Sequence, residues 1–364
     1  MALQAGIVGL PNVGKSTLFN ALTAAGADSA NYPFCTIEPN VGVVPVPDDR
    51  LQRLLAMIAS KKVLPATVEL VDIAGLVRGA SKGEGLGNQF LGHIRSVDAV
   101  LEVVRCFDDA DITHVDGEVD PLRDIETIET ELILADMDTA TKRRMRFNKS
   151  AKSGDKEAME NVAVADKMLA VLDSGRPVRA GEWTEDEWAN VVKSQLITSK
   201  PVLYVCNVDE EGLSEDNAYV DKVRAHAKAH GAGVVVISAQ VEAEISELDE
   251  EERREFLADM DLAEPGLAKL ARETYALLGL ETYFTAGPKE IRAWTIRHGT
   301  KAPKAAGVIH GDFERGFIRA EVYALADLES YGSEQALKEA GKLRVEGKEY
   351  VVQDGDVMHF RFNV

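Results

Sequence analysis

Short apolar runs alternate with helical patterns along most of the chain. The runs with the length and composition of buried strands lie at 5–8, 67–73, 98–104, 201–206 and 233–237. After the first run, apolar residues recur at helical spacing with no proline among them: Leu18, Phe19, Ala21 and Leu22. Strands that alternate with helices predict an α/β fold with a doubly wound, parallel sheet.

A longer helical pattern interrupts this alternation. Apolar residues step by three and four positions in two successive sets: Ile125, Ile128, Leu132 and Ala135, and then Val162, Ala165, Leu169 and Leu172. Two such sets predict an antiparallel helical (coiled-coil) hairpin, which we place at 123–199 as an insertion into the α/β domain. The connection at 142–156 is rich in Lys and Arg. A solvated helix face and a contact for an acidic partner are both compatible with it.

The composition changes after Leu280. Residues 281–364 contain 12 basic and 13 acidic residues, a net charge of −1, so the preceding residues carry −19 of the total of −20. Short strand patterns at 294–297, 307–310, 317–320 and 357–360, with a helix near 333–340, predict a separate small domain. The α/β domain then comprises 1–122 and 200–280. Basic residues in the last domain suit either an RNA contact or scattered surface charge: Lys289, Arg292, Arg297, Lys301, Lys304, Arg315 and Arg319.

Length and charge narrow the functional classes. A chain of 364 residues is long for one core, and 41 basic against 61 acidic residues repel nucleic-acid phosphates over the surface as a whole. Cys35, Cys106 and Cys206 form no C-x-x-C pair, which indicates neither a disulfide framework nor a zinc site. Without a long apolar run or a leader pattern, we expect a cytoplasmic protein that binds neither membranes nor specific DNA.

Residues 9–17, G-L-P-N-V-G-K-S-T, match the phosphate-loop pattern G-x-x-x-x-G-K-[ST] between the first strand and the first helix. In such a loop, successive backbone N–H groups surround the phosphates of a nucleotide. The residues expected to contact the nucleotide are Asn12, Val13, Gly14, Lys15, Ser16 and Thr17. Lys15 reaches the β and γ oxygens and serves catalysis, and the Ser16 hydroxyl binds Mg²⁺. The stretch therefore predicts a nucleoside-triphosphate site.

Two further segments match the switches of nucleotide-binding proteins. Asp72 ends a buried strand in the pattern D-x-x-G, so it is expected to hold Mg²⁺ through water while the N–H of Gly75 meets the γ-phosphate. Thr36 lies in a polar loop with two prolines, where it serves as a Mg²⁺ ligand or is part of an ordinary connector. Leu76 follows Gly75, where many GTPases have the glutamine that orients the attacking water. Another group must then orient that water.

The strand at 201–206 leads to N-V-D-E, where a GTPase would have N-K-x-D. Asn207 is present, but Val208 and Glu210 replace the lysine and the aspartate, although Asp209 leaves the register open. The longer side chain of glutamate displaces the carboxylate that would accept from guanine, which predicts a preference for ATP over GTP. Ser238-Ala239, at the end of a later strand, is expected to complete the base pocket.

Several motifs together resemble the YchF, or Obg-like ATPase, family of translation-associated P-loop proteins. They lie at 9–20, 31–40, 72–90, 207–210 and 354–364, and the resemblance covers essentially the whole chain. It implies a P-loop NTPase with an inserted helical hairpin and a C-terminal β-grasp TGS domain, hydrolysis of ATP in preference to GTP, and Mg²⁺ as cofactor. It also implies binding to the ribosome, both the large subunit and the whole ribosome, through rRNA or ribosomal protein.

The same resemblance selects one histidine. The pattern R-C-F…H-V-x-G-x-x-D-P is matched at 105–107, 114–117 and 120–121, which implies that His114, rather than His93, is catalytic. His114 would then supply the group that Leu76 cannot.

Two alternatives to an ATPase switch stay open. A nucleotide-gated binding module with incidental, slow hydrolysis is compatible with the missing glutamine, and an Obg-class GTPase is compatible with the phosphate loop. Relative affinities for ATP and GTP, and single-turnover hydrolysis with and without ribosomes, discriminate among the three.

Overall fold

A computed structural model of the chain describes residues 3–27, 40–73, 86–115 and 117–363. These residues form two compact units. The first contains residues 3–27, 40–42, 69–73, 86–115 and 117–274. The second contains residues 43–68 and 275–363.

The described helices and strands follow one another in chain order. Up to residue 173 they are β1 (Gln4–Val8), α1 (Lys15–Ala27), β2 (Val41–Pro45), α2 (Arg50–Met57), β3 (Val63–Leu64), β4 (Thr67–Asp72), α3 (Leu86–Ser96), β5 (Ala99–Arg105), α4 (Pro121–Lys152) and α5 (Lys156–Asp173). Up to residue 277 they are a 3₁₀ turn (Val178–Ala180), α6 (Glu185–Lys193), a second 3₁₀ turn (Ile197–Ser199), β6 (Val202–Asn207), α7 (Glu211–Ser214), α8 (Ala218–His230), β7 (Gly233–Ile237), α9 (Ala239–Glu247), α10 (Glu250–Asp259) and α11 (Gly266–Leu277). The remainder are β8 (Leu280–Ala286), β9 (Ile291–Arg297), α12 (Ala302–Ile309), α13 (Gly311–Arg315), β10 (Phe317–Ala324), α14 (Leu325–Tyr331), α15 (Glu334–Glu339), β11 (Arg344–Glu346) and β12 (Asp356–Phe362).

The first sheet has the strand order β2-β4-β1-β5-β6-β7 among the described residues. β1 pairs in parallel with β4 and β5, and β6 pairs in parallel with β5 and β7. Every residue of β5 and β6 is buried, as expected for central strands of a parallel sheet that helices cover. The predicted doubly wound sheet is confirmed.

The helical insertion is larger than a two-helix hairpin. Pro121 occupies the first turn of α4, and the Asp120 side chain caps that turn by accepting from the N–H of Arg123. The core of the insertion is apolar and includes residues beyond α4 and α5: Ile133, Ala140, Val164, Met168, Leu172, Val178, Val191 and Leu196. The sequence pattern did not reveal α6, which starts at the Thr184 capping box and closes one side of this core.

Asp136 anchors α4 to the segment that leads into β6. It is fully buried and accepts from the N–H groups of Ile197 and Thr198, at 2.9 and 2.7 Å, and from the Thr198 hydroxyl at 2.7 Å. Burial raises the pKa of Asp136, while these three donors act in the opposite direction.

The second sheet is mixed, with the order β11-β10-β12-β8-β9-β3 among the described residues. β8 and β9 are antiparallel, as are β10 and β12, whereas β12 pairs with β8 in parallel. Helix α12 packs on this sheet through Ala302, Ala305 and Ala306, around the buried Tyr283. This arrangement is the predicted β-grasp fold of the C-terminal part of the chain.

Two expectations for this region need correction. The strand predicted at 307–310 is the end of α12, because Pro303 opens a helix whose buried alanines repeat at helical spacing. Residues 43–68, which the predicted boundaries assign to the nucleotide-binding domain, belong to the second unit. There β3 pairs in parallel with β9, and Arg50 Nη1 lies 2.6 Å from Asp354 Oδ2. Pairing over such sequence distances leaves no local pattern.

Among the described residues, no helix is long and apolar enough to cross a lipid bilayer.

Candidate functional site

The predicted site lies at the carboxyl edge of the first sheet, where ligands bind in open α/β folds. Strand ends bring together the phosphate loop after β1, Asp72 of β4, Arg105 of β5, Asn207 of β6 and Ser238 after β7.

Close backbone approach explains both end glycines of the phosphate loop. Gly14 has a φ of +93°, and a Cβ atom there would lie 2.2 Å from Nδ2 of Asn207. A Cβ atom on Gly9 would lie 2.7 Å from the carbonyl oxygen of Val103. Asn12 also adopts a left-handed conformation, with a φ of +63°, which asparagine tolerates better than most residues. The loop therefore has the tight turn that a phosphate cradle needs, and α1 begins at its end with Lys15.

Ser16, the expected Mg²⁺ ligand, and Asp72, expected to hold the ion through water, have side chains suited to these roles. Oδ1 of Asp72 is buried without a hydrogen bond and lies 4.0 Å from Nζ of Lys15. Ser16 is exposed in the first turn of α1, as is Thr17. An unbonded carboxylate oxygen and an exposed hydroxyl fit the oxygen chemistry of a hard cation and its water shell. Thr36, Gly75 and Leu76 lie outside the described residues.

Asn207 ties the phosphate loop to the segment after β7. Its Nδ2 donates to the carbonyl oxygen of Val13 at 2.9 Å, and its Oδ1 accepts from the N–H of Ala239 at 2.9 Å. Asn207 is 4 % exposed, so the bonds form in a water-poor setting. The Ser238 side chain caps α9 by accepting from the N–H of Val241. Nδ2 of Asn207 has two hydrogens, and one of them is donated to Val13. The other N–H can be donated to a ligand.

The two carboxylates after Asn207 have different surroundings. Asp209 Oδ1 accepts from the N–H of Gly212 at 3.0 Å, at the start of α7. Glu210 is exposed and its side chain makes no cap to α7. Val208 is 1 % exposed and its N–H donates to the carbonyl of Ile237. Of these two exposed carboxylates, Asp209 therefore has one oxygen engaged, whereas the Glu210 carboxylate makes no hydrogen bond to the described residues.

His114 is held by a buried carboxylate. Its Nε2 lies 2.9 Å from Oδ2 of Asp124, in the first turn of α4, and both side chains are 3 % exposed. The sequence motif gave no indication of this contact, because Asp124 lies three residues beyond the motif's end at Pro121. In this conformation Nε2 of His114 is already engaged.

Arg105 organises the loop that precedes His114, a role that motif matching missed. Arg105 is 1 % exposed and donates to three carbonyl oxygens: Nε to Phe107 at 3.1 Å, Nη1 to Ile112 at 2.9 Å and Nη2 to Asp109 at 3.1 Å. In the sequence, this role could have been inferred from an arginine at the end of an otherwise apolar strand. A buried guanidinium needs several acceptors, and a following loop can provide them.

The loop also meets the phosphate loop directly. Nδ2 of Asn12 donates to the carbonyl oxygen of Thr113 at 3.1 Å, one residue before His114. An open cleft of about 690 Å³ adjoins this contact, and Arg105, Thr113, His114 and Tyr219 are among its lining residues. The Tyr219 hydroxyl donates to the Asp108 carboxylate, and this bond joins the same loop to α8.

A group of buried and half-buried ionisable residues lies between β5, β6, α4 and α8. Glu129 of α4 pairs with Arg179 and accepts from the Tyr204 hydroxyl at 3.3 Å, and Tyr204 also contacts His226. Glu102, the register partner of Tyr204, is 2 % exposed. Burial raises the pKa of Glu102 well above its usual range, and the charge of Glu129 adds to this effect.

Comparison with known proteins assigns a family to the chain. The family model MMR_HSR1, a 50S ribosome-binding GTPase, matches residues 4–136, and YchF-GTPase_C, described as a protein of unknown function, matches residues 280–363. The chain is 58% identical to the ribosome-binding ATPase YchF of Bacillus subtilis (strain 168), and 57% identical to the Haemophilus influenzae protein of that name. Both alignments cover 100% of each chain. The chain belongs to the YchF family.

A solved structure of a YchF protein has the same fold. The Schizosaccharomyces pombe YchF GTPase superposes with a TM-score of 0.90 at 40% identity, covering 99% of this chain and 97% of that one. The family resemblance and the fold class predicted from the motifs are thus confirmed.

In this YchF-family chain, the fold brings most of the described site residues into one region. Lys15 approaches Asp72, while Gly14, Val13 and Ala239 converge on Asn207. The His114 ring is instead turned into the contact with Asp124.

Proposed function

We propose that this YchF-family chain is a Mg²⁺-dependent ATPase that prefers ATP to GTP. It acts in the cytoplasm as a translation-associated molecular switch on the ribosome. The observation that carries the proposal is the buried, unbonded Oδ1 of Asp72 beside Lys15 at the end of a phosphate loop. Full-length relatives named as ribosome-binding ATPases support the partner and the reaction.

The chain's residues divide the work of phosphoryl transfer. The N–H groups of Asn12, Val13 and Gly14 orient the phosphates, and Lys15 balances charge on the β and γ oxygens. Ser16 and Asp72, together with Thr36, would hold Mg²⁺, which when bound withdraws negative charge from the phosphate oxygens. Gly75 would donate its N–H to the γ-phosphate.

Base selection is proposed to depend on Asn207 and Glu210. Asn207 is fixed by two hydrogen bonds and can present one further N–H to the base edge, while Glu210 is exposed nearby in sequence. A carboxylate one methylene longer than aspartate does not match the paired donors of guanine. Val208 and the backbone at Ser238 would line the pocket. The relatives' names differ on this point, ATPase for the bacterial proteins and GTPase for the S. pombe protein.

His114 is proposed to supply or orient the group that acts on the attacking water. It lies one residue after Thr113, whose carbonyl contacts the phosphate loop. General acid–base groups contribute roughly 10²- to 10⁴-fold to rates. To act there, the ring must leave Asp124.

The contact of the His114 ring with Asp124 favours a second candidate function. If His114 stays on Asp124, the chain is a nucleotide-gated binding module in which ATP sets a conformation and hydrolysis is incidental. Single-turnover hydrolysis separates the two functions. An ATPase switch should hydrolyse bound ATP faster when ribosomes are present, whereas a binding module should show the same slow rate with and without them.

Equilibrium titration with non-hydrolysable analogues tests base selection first. Tighter binding of the ATP analogue supports the proposal, and equal or tighter binding of the GTP analogue contradicts it. Both titrations should be repeated with EDTA, which should weaken binding if Mg²⁺ bridges the protein and the phosphates.

The ribosome contact is proposed to lie at the far end of α4 and on the second unit. At the end of α4 and the start of α5 several cations are exposed and have no ion pair among the described residues: Arg146, Lys149, Lys152 and Lys156. Three neighbours are already engaged: Lys142 with Asp138, Arg144 with Asp166, and Arg143 with Asn161 and Asn190. The exposed cations are therefore the better candidates for contact with RNA phosphates.

A further inference from the structure

The contact between His114 and Asp124 links the proposed catalytic histidine to the first turn of the long helix α4. We propose that Asp124 is a positioning residue that withholds His114 from the nucleotide until movement of α4 releases it. This inference rests on the proposed role of His114. It adds a residue and a means of control that the role itself does not contain.

The geometry of the pair supports withholding. Nε2 of His114 is 2.9 Å from Oδ2 of Asp124, and both side chains are 3 % exposed. Nε2 cannot act on a water molecule while it is bonded to the carboxylate, and because only 3 % of the side chain is exposed, the other ring nitrogen, Nδ1, is also withheld from water. Hydrogen bonds to charged groups in such settings correspond to a bias of roughly ten- to a hundredfold between bonded and released states. The released state would then be a small fraction of the molecules at rest.

The backbone around His114 restricts where the ring can go. Arg105 holds the three carbonyls of Phe107, Asp109 and Ile112, and Asn12 holds the carbonyl of Thr113. His114 is thus one residue from a direct contact with the phosphate loop. Once free of Asp124, its side chain stays beside that loop, because the preceding segment is fixed.

Helix α4 connects this contact to the proposed partner site. It runs without interruption for 32 residues, roughly 48 Å at the rise of an α-helix, with Asp124 in its first turn and the exposed cations at its other end. Asp136, between the two, is anchored by three hydrogen bonds to Ile197 and Thr198. A partner that shifts the far end of α4 therefore acts on Asp124 through a continuous helix with a fixed point along its length.

The test compares two buried carboxylates of the same helix. Asp124→Ala removes the contact, and Asp124→Asn removes its charge while keeping its size. Asp136→Asn is the matched control, since Asp136 is equally buried on α4 and does not contact His114. Without ribosomes, we expect Asp124→Ala and Asp124→Asn to speed single-turnover ATP hydrolysis by about tenfold or more, in line with the bias lost with the bond. ATP affinity should change less than twofold, and Asp136→Asn should hydrolyse at the parental rate.

The double variant distinguishes positioning from a structural effect. The gain from Asp124→Asn should disappear when it is combined with His114→Ala, because the released group is then absent. Ribosomes should accelerate the parent and add little to Asp124→Asn. A thermal unfolding scan of each variant identifies any that does not fold, and the second substitution at Asp124 then provides the comparison.

Three results would overturn the inference or its basis. If Asp124→Asn slows hydrolysis to the level of His114→Ala, Asp124 orients the histidine in the reacting complex and does not withhold it. If both Asp124 variants hydrolyse at the parental rate while His114→Ala is slow, the contact has no control function and the catalytic role of His114 stands. If His114→Ala hydrolyses like the parent, the proposed role of His114 fails, and the withholding role fails with it.

Discussion

At the scale of single residues, Asn207 joins Val13 to Ala239 at the proposed nucleotide site. Replacing Asn207 with Ala leaves a buried carbonyl and a buried N–H without partners, which costs about 1–3 kcal/mol for each group. We expect ATP affinity to fall by roughly tenfold or more, because the phosphate loop loses its fixed position. Isothermal titration measures this. Asn217→Ala is the control, since Asn217 caps α8 and bonds the carbonyl of Cys106 without touching the phosphate loop.

A second prediction at this scale concerns Val208 and Glu210 and the choice between ATP and GTP. The combined change Val208→Lys and Glu210→Asp should move the preference toward GTP, because a carboxylate at the shorter reach can accept from both donors of guanine. Matched polar groups discriminate bases strongly, so we expect the ratio of ATP to GTP affinity to fall by about tenfold or more. Glu211→Asp makes the same chemical change one position later and should leave the ratio alone. An unchanged ratio in the double variant would mean that other groups read the base.

Glu102 gives a pH-dependent prediction. Its folded pKa is raised, chiefly by burial and also by Glu129, so the folded state binds this proton more tightly than the unfolded state. Below the pKa of Glu102 in the unfolded chain, the stabilisation from this proton is fully present. As the pH rises from there toward the folded pKa, it is lost. Glu102→Gln removes this titration. The free energy of unfolding of the variant, relative to that of the parent, should therefore increase from pH 4.5 to pH 8. Urea unfolding at several pH values measures the difference, and a constant difference across that range would contradict the prediction.

At the scale of elements, α4 combines the anchor at Asp136 with exposed cations at its far end. Neutralising Lys149 and Lys152 to Ala should weaken ribosome co-sedimentation and reduce its dependence on salt, because fewer counterions are released on binding. We expect a several-fold loss at moderate salt, with ATP affinity retained. Lys142→Ala with Arg144→Ala makes the same charge change on the same helix, but there the side chains are already paired with Asp138 and Asp166. If both double variants lose ribosome co-sedimentation equally, binding depends on the net charge of this region and not on which cations are unpaired.

At the scale of the whole molecule, the second unit depends on residues from two distant parts of the chain. A chain that ends at Leu280 would leave β3 without β9, Arg50 without Asp354, and Arg53 without Glu329. We expect this truncation to expose the apolar face of α2, which contains the buried Leu51 and Leu54, and to bind more of a hydrophobic dye than the full chain. A truncated chain that stays monodisperse and binds no more dye would contradict this expectation. Point substitutions in the second unit are therefore the better test of the ribosome contact proposed there.

Sequence reasoning succeeded where the determining residues are adjacent or follow a simple period. The phosphate loop is contiguous, the central strands are near-continuous apolar runs, and the helical hairpin repeats at three and four positions. It failed at 307–310, where a short apolar run was compatible with a strand and with the end of a helix. Only the burial of Ala302, Ala305 and Ala306 on one side distinguishes the two.

The sequence by itself therefore determined the fold class and the phosphate loop, and it predicts the roles of Asp72 and Asn207, since each depends on local spacing and on the ends of parallel strands. The tertiary structure alone decided that 43–68 belongs to the second unit, where β3 joins the second sheet, that Arg105 fixes its loop, and that His114 meets Asp124. These contacts depend on where strands and helices pack against one another. β3 and β9 are far apart in the chain. Arg105 and its acceptors, and His114 and Asp124, are at most 10 residues apart, but their contacts depend on the path of an irregular loop, which no periodic pattern records.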